Sequence, residues 1–367
     1  MAPKNRAEYR ETIAKAFLSV LTEKGLDWKA GWDITSNTQQ NAVTGKGYRG
    51  VNQFYLGLIS LARGYTDPRW ATMTQIIDKK GLYHPNEKWH LQAGSKAVFV
   101  EYWYPYDRDE KKMMEWKDYR RLSAEEKRSG RYMLRVRYTP VFHASMIDGI
   151  SPWAQLARAP QPLSEVVSTL SSSMGVELLY DGGSRAFYRP SEDKIHLPSP
   201  ASFHDEYEFN ATALHELAHA TGHESRLGRP LSGGFGTPEY AYEELVAEIS
   251  SCFMGITLDV QQMPRHLDNH KAYVQSWIEA IEKKPETLMQ AIADAQRAAR
   301  FMDFHAGLIS ETEYAASLGE NFTVSETTLE ENTPSPQEDP DAIRSAAESF
   351  ICNNSYSHEV EFACPGD

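Results

Sequence analysis

The chain has 367 residues, 41% hydrophobic and 24% charged, with a formal net charge of −13. It is long enough for two domains with their own cores, and no apolar run reaches membrane-spanning length, which excludes an integral helical membrane protein. Three widely spaced cysteines, Cys252, Cys352 and Cys364, exclude a disulfide framework and a cysteine metal site, and the polar N-terminus without a leader-like apolar core leads us to expect a cytoplasmic protein.

In chain order, Ile13, Phe17, Leu18 and Leu21 recur at helical spacing, which predicts an amphipathic helix over 8–25. Residues 26–50 read as a loop. Helices are expected over 48–61 and 73–80, then a strand over 96–104. Residues 106–130 form a heavily charged insertion, expected as a helical excursion or a mobile arm. Over 131–138 the residues alternate, with Tyr132, Leu134, Val136 and Tyr138 on one face and arginines mostly on the other, the signature of a half-buried strand. The proline-rich stretch 151–162 reads as a linker. A second domain, 163–320, begins with a helix to Met174 and two short strands near 177–180 and 186–188. A further short strand over 193–198 stops at Pro198, and it reads either as an edge strand that would receive an extended substrate or as a structural strand with no substrate role. Residues 271–316 read as helical, and 321–367 as an acidic, disordered tail with a short helix near 341–352.

The charge is unevenly divided. Residues 1–150 hold 25 Lys and Arg against 17 Asp and Glu, a net of +8, while the remainder holds 13 against 34, a net of −21. The basic half also carries six of the eight tryptophans. Trp28, Trp32, Lys46, Tyr48, Arg49, Asn52, Arg69, Trp70 and Gln75 put aromatic, basic and amide groups side by side. Single-stranded nucleic acid binds such mixtures, bases stacking on rings while cations neutralise phosphate. A hydrophobic core would use the same aromatics.

The strongest local signal is His215-Glu216-Leu217-Ala218-His219. Two histidines four apart share one helix face and can hold one Zn²⁺, with Glu216 beside it to take a proton from water. Asn210 or Thr212 is expected to cap this helix, and Gly222 to end it. Open catalytic zinc sites use three protein ligands. His223 follows His219 too closely for the extended histidine pattern and is expected to pack or support. The better source is 240–248, a second helix offering Glu243, Glu244 and Glu248. We expect Glu244 as third ligand and Glu248 as hydrogen-bond partner of a ligating imidazole, with Glu243 as the alternative. Tyr240 or Tyr242 is a candidate to stabilise an oxyanion.

The chain resembles the ArdC-type antirestriction proteins, whose N-terminal domain is shared with the TraC-type primases of conjugative plasmids. In the first half the resemblance rests on residues 44–52, Asp67 to Thr72, Gln75 and Gly81. In the second it rests on 186–188, 193–195, His215 to His223, 225–227 and 243–248. The 106–130 insertion, the acidic tail, Asp27-Trp28, Asp33 and His143 depart from the family pattern. The resemblance implies a DNA-binding domain for single strands, a zincin-like metallopeptidase domain, and a mobile-element gene protecting incoming DNA from restriction.

The combined expectation is an α+β protein of two domains, 1–150 and 163–320, binding single-stranded DNA and an unidentified peptide substrate, with Zn²⁺ as cofactor and no membrane partner. Two alternatives stay open: a DNA-binding protection protein with a structural metal site, or a metalloprotease whose basic domain binds protein.

Overall fold

A computed structural model describes residues 3, 5–24, 38–154, 163–203, 205–231, 237–258 and 271–320. Trp28, Trp32, most of the expected linker and the acidic tail with Cys352 and Cys364 lie outside the described residues.

Helix α1 (Arg6–Lys24) leads to β1 (Gln40–Asn41), α2 (Gly50–Arg63), β2 (Arg69–Thr72) and α3 (Met73–Ile77). Then come β3 (His90–Leu91), β4 (Val98–Asp107), β5 (Lys112–Met113), α4 (Trp116–Arg121), α5 (Ala124–Arg128), β6 (Tyr132–His143) and β7 (Ile147–Asp148). The second region contains α6 (Leu163–Met174), β8 (Glu177–Leu179), β9 (Phe187–Arg189), β10 (Lys194–His196), α7 (Glu206–Ala220) and α8 (Pro238–Leu258). It ends with α9 (Lys271–Lys283), α10 (Glu286–His305) and α11 (Glu311–Glu320). The α+β expectation holds. Among the described residues no helix is long and apolar enough to cross a membrane.

The first sheet runs β1-β2-β6-β4-β5, with β1 parallel to β2 and the other pairs antiparallel. Strand β6 extends five residues beyond Tyr138. There it continues against Val98–Val100 of β4 and picks up β2, pairing Val141 with Thr72 and His143 with Trp70. The charged insertion is ordered, and it forms the far end of the β4–β6 hairpin. The Arg131 guanidinium closes its base on Asp107 at 2.7–3.2 Å, and Ser123 and Glu126 form a capping box on α5. The start of the expected linker is tied down as well. Arg69 donates to the Ser151 carbonyl at 2.7 Å and lies over the Trp153 ring.

One hydrophobic core spans both regions. Tyr9, Ile13, Phe17 and Leu21 of α1 and Phe54 and Leu58 of α2 pack with Leu245, Ile249, Trp277, Leu288 and Ile292 from α8, α9 and α10. The contact is close at the start of α2. Gly50 has φ +51, which calls for glycine at this turn, and the Gln296 side chain of α10 lies over it. A second cluster, built on Val167, Leu170, Ile195, Leu217, Ala218, Met254 and Met302, holds α7 between α6, α8 and the small sheet.

That small sheet has the order β8-β10-β9, so β10 is its central strand. The edge position expected for residues 193–198 belongs to β9, which pairs antiparallel with β10 through Ile195 and Tyr188.

Candidate metal centre

The helix that carries the motif begins earlier than expected. Asp205 is its N-cap, accepting from the Glu208 N–H at 2.8 Å. Asn210 and Thr212 lie inside α7 and bond back to the Glu206 and Glu208 carbonyls. Thr221 caps the far end. Gly222 follows for a steric reason: a Cβ there would stand 3.1 Å from Arg229 Nη2 and from the His219 carbonyl, and 3.0 Å from Leu231 Cδ2.

His215, Glu216 and His219 are turned toward α8. The two imidazole Nε2 atoms lie 3.2 Å apart, and Glu244 reaches them at 3.7 Å (His215) and 3.6 Å (His219). Among the described residues this trio can hold a metal ion, its donor atoms lying within 4.8 Å of one another. Tetrahedral ligands about 2.0–2.1 Å from a zinc ion stand roughly 3.3 Å from each other, so the donors fit such an ion with small adjustments.

The other two glutamates support the ring nitrogens that face away. Glu243 Oε1 is 3.2 Å from His219 Nδ1, and Glu248 Oε1 is 3.5 Å from His215 Nδ1. The Glu243 hydrogen bond on His219 Nδ1 leaves that ring's Nε2 as the donor toward the centre, and Glu248 stands at ion-pair range of His215 Nδ1. Burial opposes charging of His219, but the Glu243 hydrogen bond and the surrounding carboxylates raise it to about 9. Burial also pushes Glu244 up, while His215 and the charge of both imidazoles pull it down to about 2. The Glu216 carboxyl is raised by burial, and the Tyr188 backbone N–H of β9 is near enough to oppose that rise.

Sequence reasoning missed Arg229. Its buried guanidinium donates to Glu243 Oε2 (3.0 Å) and Oε1 (2.6 Å), to Thr221 Oγ1 (2.7 Å) and to the Ala218 carbonyl (2.9 Å). It joins the end of α7 to α8 and fixes the carboxylate that orients His219. A basic residue just past the motif helix was the available signal. Arg226 plays a parallel part, bonding the Ala220 carbonyl, Asp193 and Tyr188 Oη. His223 faces this outer network, 2.8 Å from Ser225 Oγ, and stands outside the trio. Of the two tyrosines, Tyr240 bonds Glu244. Tyr242 is committed elsewhere, donating to Asp294 Oδ2 at 2.7 Å, and is withdrawn as an oxyanion donor.

The nucleic-acid candidates are largely occupied by the fold. Trp70 is 0% exposed and donates its indole N–H to Gln39 at 2.7 Å, so no base can stack on it. Asn52 bonds both backbone groups of Glu101 at 2.8 and 2.9 Å. Gln75 pairs with the Asn41 amide and closes the capping box of α3. Arg69 is clamped by Asp67. Tyr48 is half-buried, and burial pushes its phenol to about 12. Lys46 and Arg49 are exposed.

Residues 7–142 match the family described as the N-terminal domain of anti-restriction factor ArdC, and residues 165–294 match the zincin-like metallopeptidase family. The chain belongs to the ArdC-type proteins. Two crystal structures of the antirestriction ArdC protein of plasmid R388, metal-free and Mn(II)-bound, superpose with TM-scores of 0.61 and 0.62 at 25% identity, covering 82% of this chain and 99% of that one. An uncharacterized Sinorhizobium fredii protein, y4eC, is 29% identical over 305 residues, covering 82% of this ArdC-type chain and 93% of that protein. A DNA primase TraC from Escherichia coli is 33% identical over 308 residues. The match takes in 80% of this chain but spans about a quarter of the primase, 27% of its length.

Proposed function

We propose that this protein is an antirestriction factor that binds single-stranded DNA through its N-terminal region and hydrolyses a peptide bond at a zinc centre formed by His215, His219 and Glu244. The observation that carries the reading is the trio itself, with the buried Glu216 carboxyl set between the two histidines in sequence and against the β9 edge. Two imidazoles and one carboxylate suit zinc better than the oxygen-rich surroundings that manganese favours, although the R388 protein has been seen with Mn(II). A bound zinc ion supplies Lewis acidity, which acidifies water and polarises a carbonyl.

Around that chemistry each residue has a task. Glu216 takes the proton from the attacking water and returns it to the departing amine. Glu243 and Glu248 hold the imidazoles in the tautomer that presents Nε2. Tyr240, whose hydroxyl lies beside Glu244, would turn from that carboxylate to donate to a developing oxyanion. The edge of β9 offers an extended peptide a strand to pair with.

The test is plasmid transfer into restricting and non-restricting recipients, together with zinc content of the purified chain. Glu216→Gln should retain zinc and lose protection, whereas His215→Ala should lose both. Full protection by Glu216→Gln would favour the alternative in which the metal is structural.

A further inference from the structure

With most of the sequence-level candidates committed to the fold, a different face is left to receive a single strand. Strands β4 and β6 pair Tyr102 with Arg137, Tyr104 with Arg135 and Tyr106 with Met133. Opposed residues share a face and alternate residues return to it, so three tyrosines and two arginines stand together on one side of the hairpin. Tyr102 and Tyr104 are stacked at 6.3 Å and 21°. The Arg137 guanidinium lies 5.0 Å over the Tyr102 ring, and that of Arg135 lies 3.8 Å over Tyr106. Tyr102 is 44% exposed, Arg137 is exposed, and Tyr104 is buried beneath them. The two acids of these strands, Glu101 and Asp107, alternate to the other face.

We infer that this tyrosine–arginine ladder is the docking face for single-stranded DNA. The inference rests on the DNA-binding reading above and adds where the strand lies. Rings presented on a sheet stack bases, and guanidiniums beside them neutralise phosphate and contribute cation–π contact. Charge complementarity selects the occupant. The ladder face carries cations without strand acids, and the adjoining hairpin extension, 108–131, holds nine Lys and Arg against six Asp and Glu. A polyanion with exposed bases uses both components, its phosphates on the guanidiniums and its bases on the rings. A duplex hides its bases from the rings, so the single strand is preferred. Intramolecular cation–π pairing also occurs on ordinary hairpins. It does not account for a large ring left 44% exposed at the end of the ladder.

The test is fluorescence anisotropy with a labelled oligothymidylate, full-length chain and a salt series. Tyr102→Ala should weaken binding about 10-fold, within the range of one lost stacked base. Tyr102→Phe keeps the ring and should bind as the unaltered chain does. Arg137→Gln should lower the slope of log affinity against log salt by about 0.7, one phosphate contact on a single strand. Both positions are exposed, and unchanged thermal melting will show that the variants are folded. If the unaltered chain binds and Tyr102→Ala and Arg137→Gln bind equally well, the strand lies elsewhere and this inference fails alone. If the unaltered chain does not bind, the DNA-binding reading fails and takes the inference with it.

Discussion

Replacing Arg229 with methionine should destabilise the protein far more than a loop substitution normally does. Arg229 and Glu243 are 9% and 7% exposed, and their bidentate pair is reinforced by two further donations to Thr221 and the Ala218 carbonyl. Removing the guanidinium leaves a buried carboxylate without its main counterion, a loss of about 3–5 kcal/mol for pairs of this kind. His219 Nδ1, 3.2 Å from the same carboxylate, remains as a partial substitute, which places the expected loss near the lower end. Urea denaturation in the presence of chelator measures this without a metal contribution. Zinc titration should then show about 10–100-fold weaker binding, because Glu243 no longer holds His219 in place. Adding Glu243→Gln to Arg229→Met removes the stranded charge and should recover part of the stability, a coupling of about 0.5–3 kcal/mol. A single variant within about 0.5 kcal/mol of the unaltered chain would refute the argument, and so would strictly additive losses in the double variant.

Asp303 is 2% exposed with Oδ1 lacking a partner, and burial raises its carboxyl to about 6 despite Thr257 and Arg300. The folded state therefore holds a proton that the unfolded chain has released between about pH 4 and 6, and stability falls across that window as pH rises. Asp303→Asn should gain about 2–3 kcal/mol above pH 7 and nothing below pH 4 in urea melts, so an equal gain at both pH values would contradict the assignment. Trp70→Phe should lower the melting temperature while DNA affinity of the folded protein stays unchanged; a selective loss of affinity would restore Trp70 as a contact. Zinc at 100 times its dissociation constant should stabilise the chain by about 2.7 kcal/mol, and His215→Ala should melt identically with and without zinc.

The sequence by itself determined the local part of the metal centre. Spacing of four on a helix places His215 and His219 on one face whatever surrounds them, and the motif places Glu216 beside them. Helix periodicity likewise located α1, α2 and α6 to within a few residues. Choosing among Glu243, Glu244 and Glu248 required the tertiary structure. Neighbours on a helix point about 100° apart, so the choice depends on how α8 is rotated against α7. That rotation is set by the core on its other side, where α8 packs on α9 and α10 and Leu245 and Ile249 join the large cluster, and by Trp277, whose indole bonds the Ala241 carbonyl at 2.6 Å. The aromatic residues of the first half show the same division. Composition counts Trp70 and Tyr102 alike, but only the pairing of strands distant in sequence shows that one ring fills the core and the other stands beside Arg137. Chemistry carried within a few turns of chain was legible, whereas burial and the meeting of distant side chains were decided by packing.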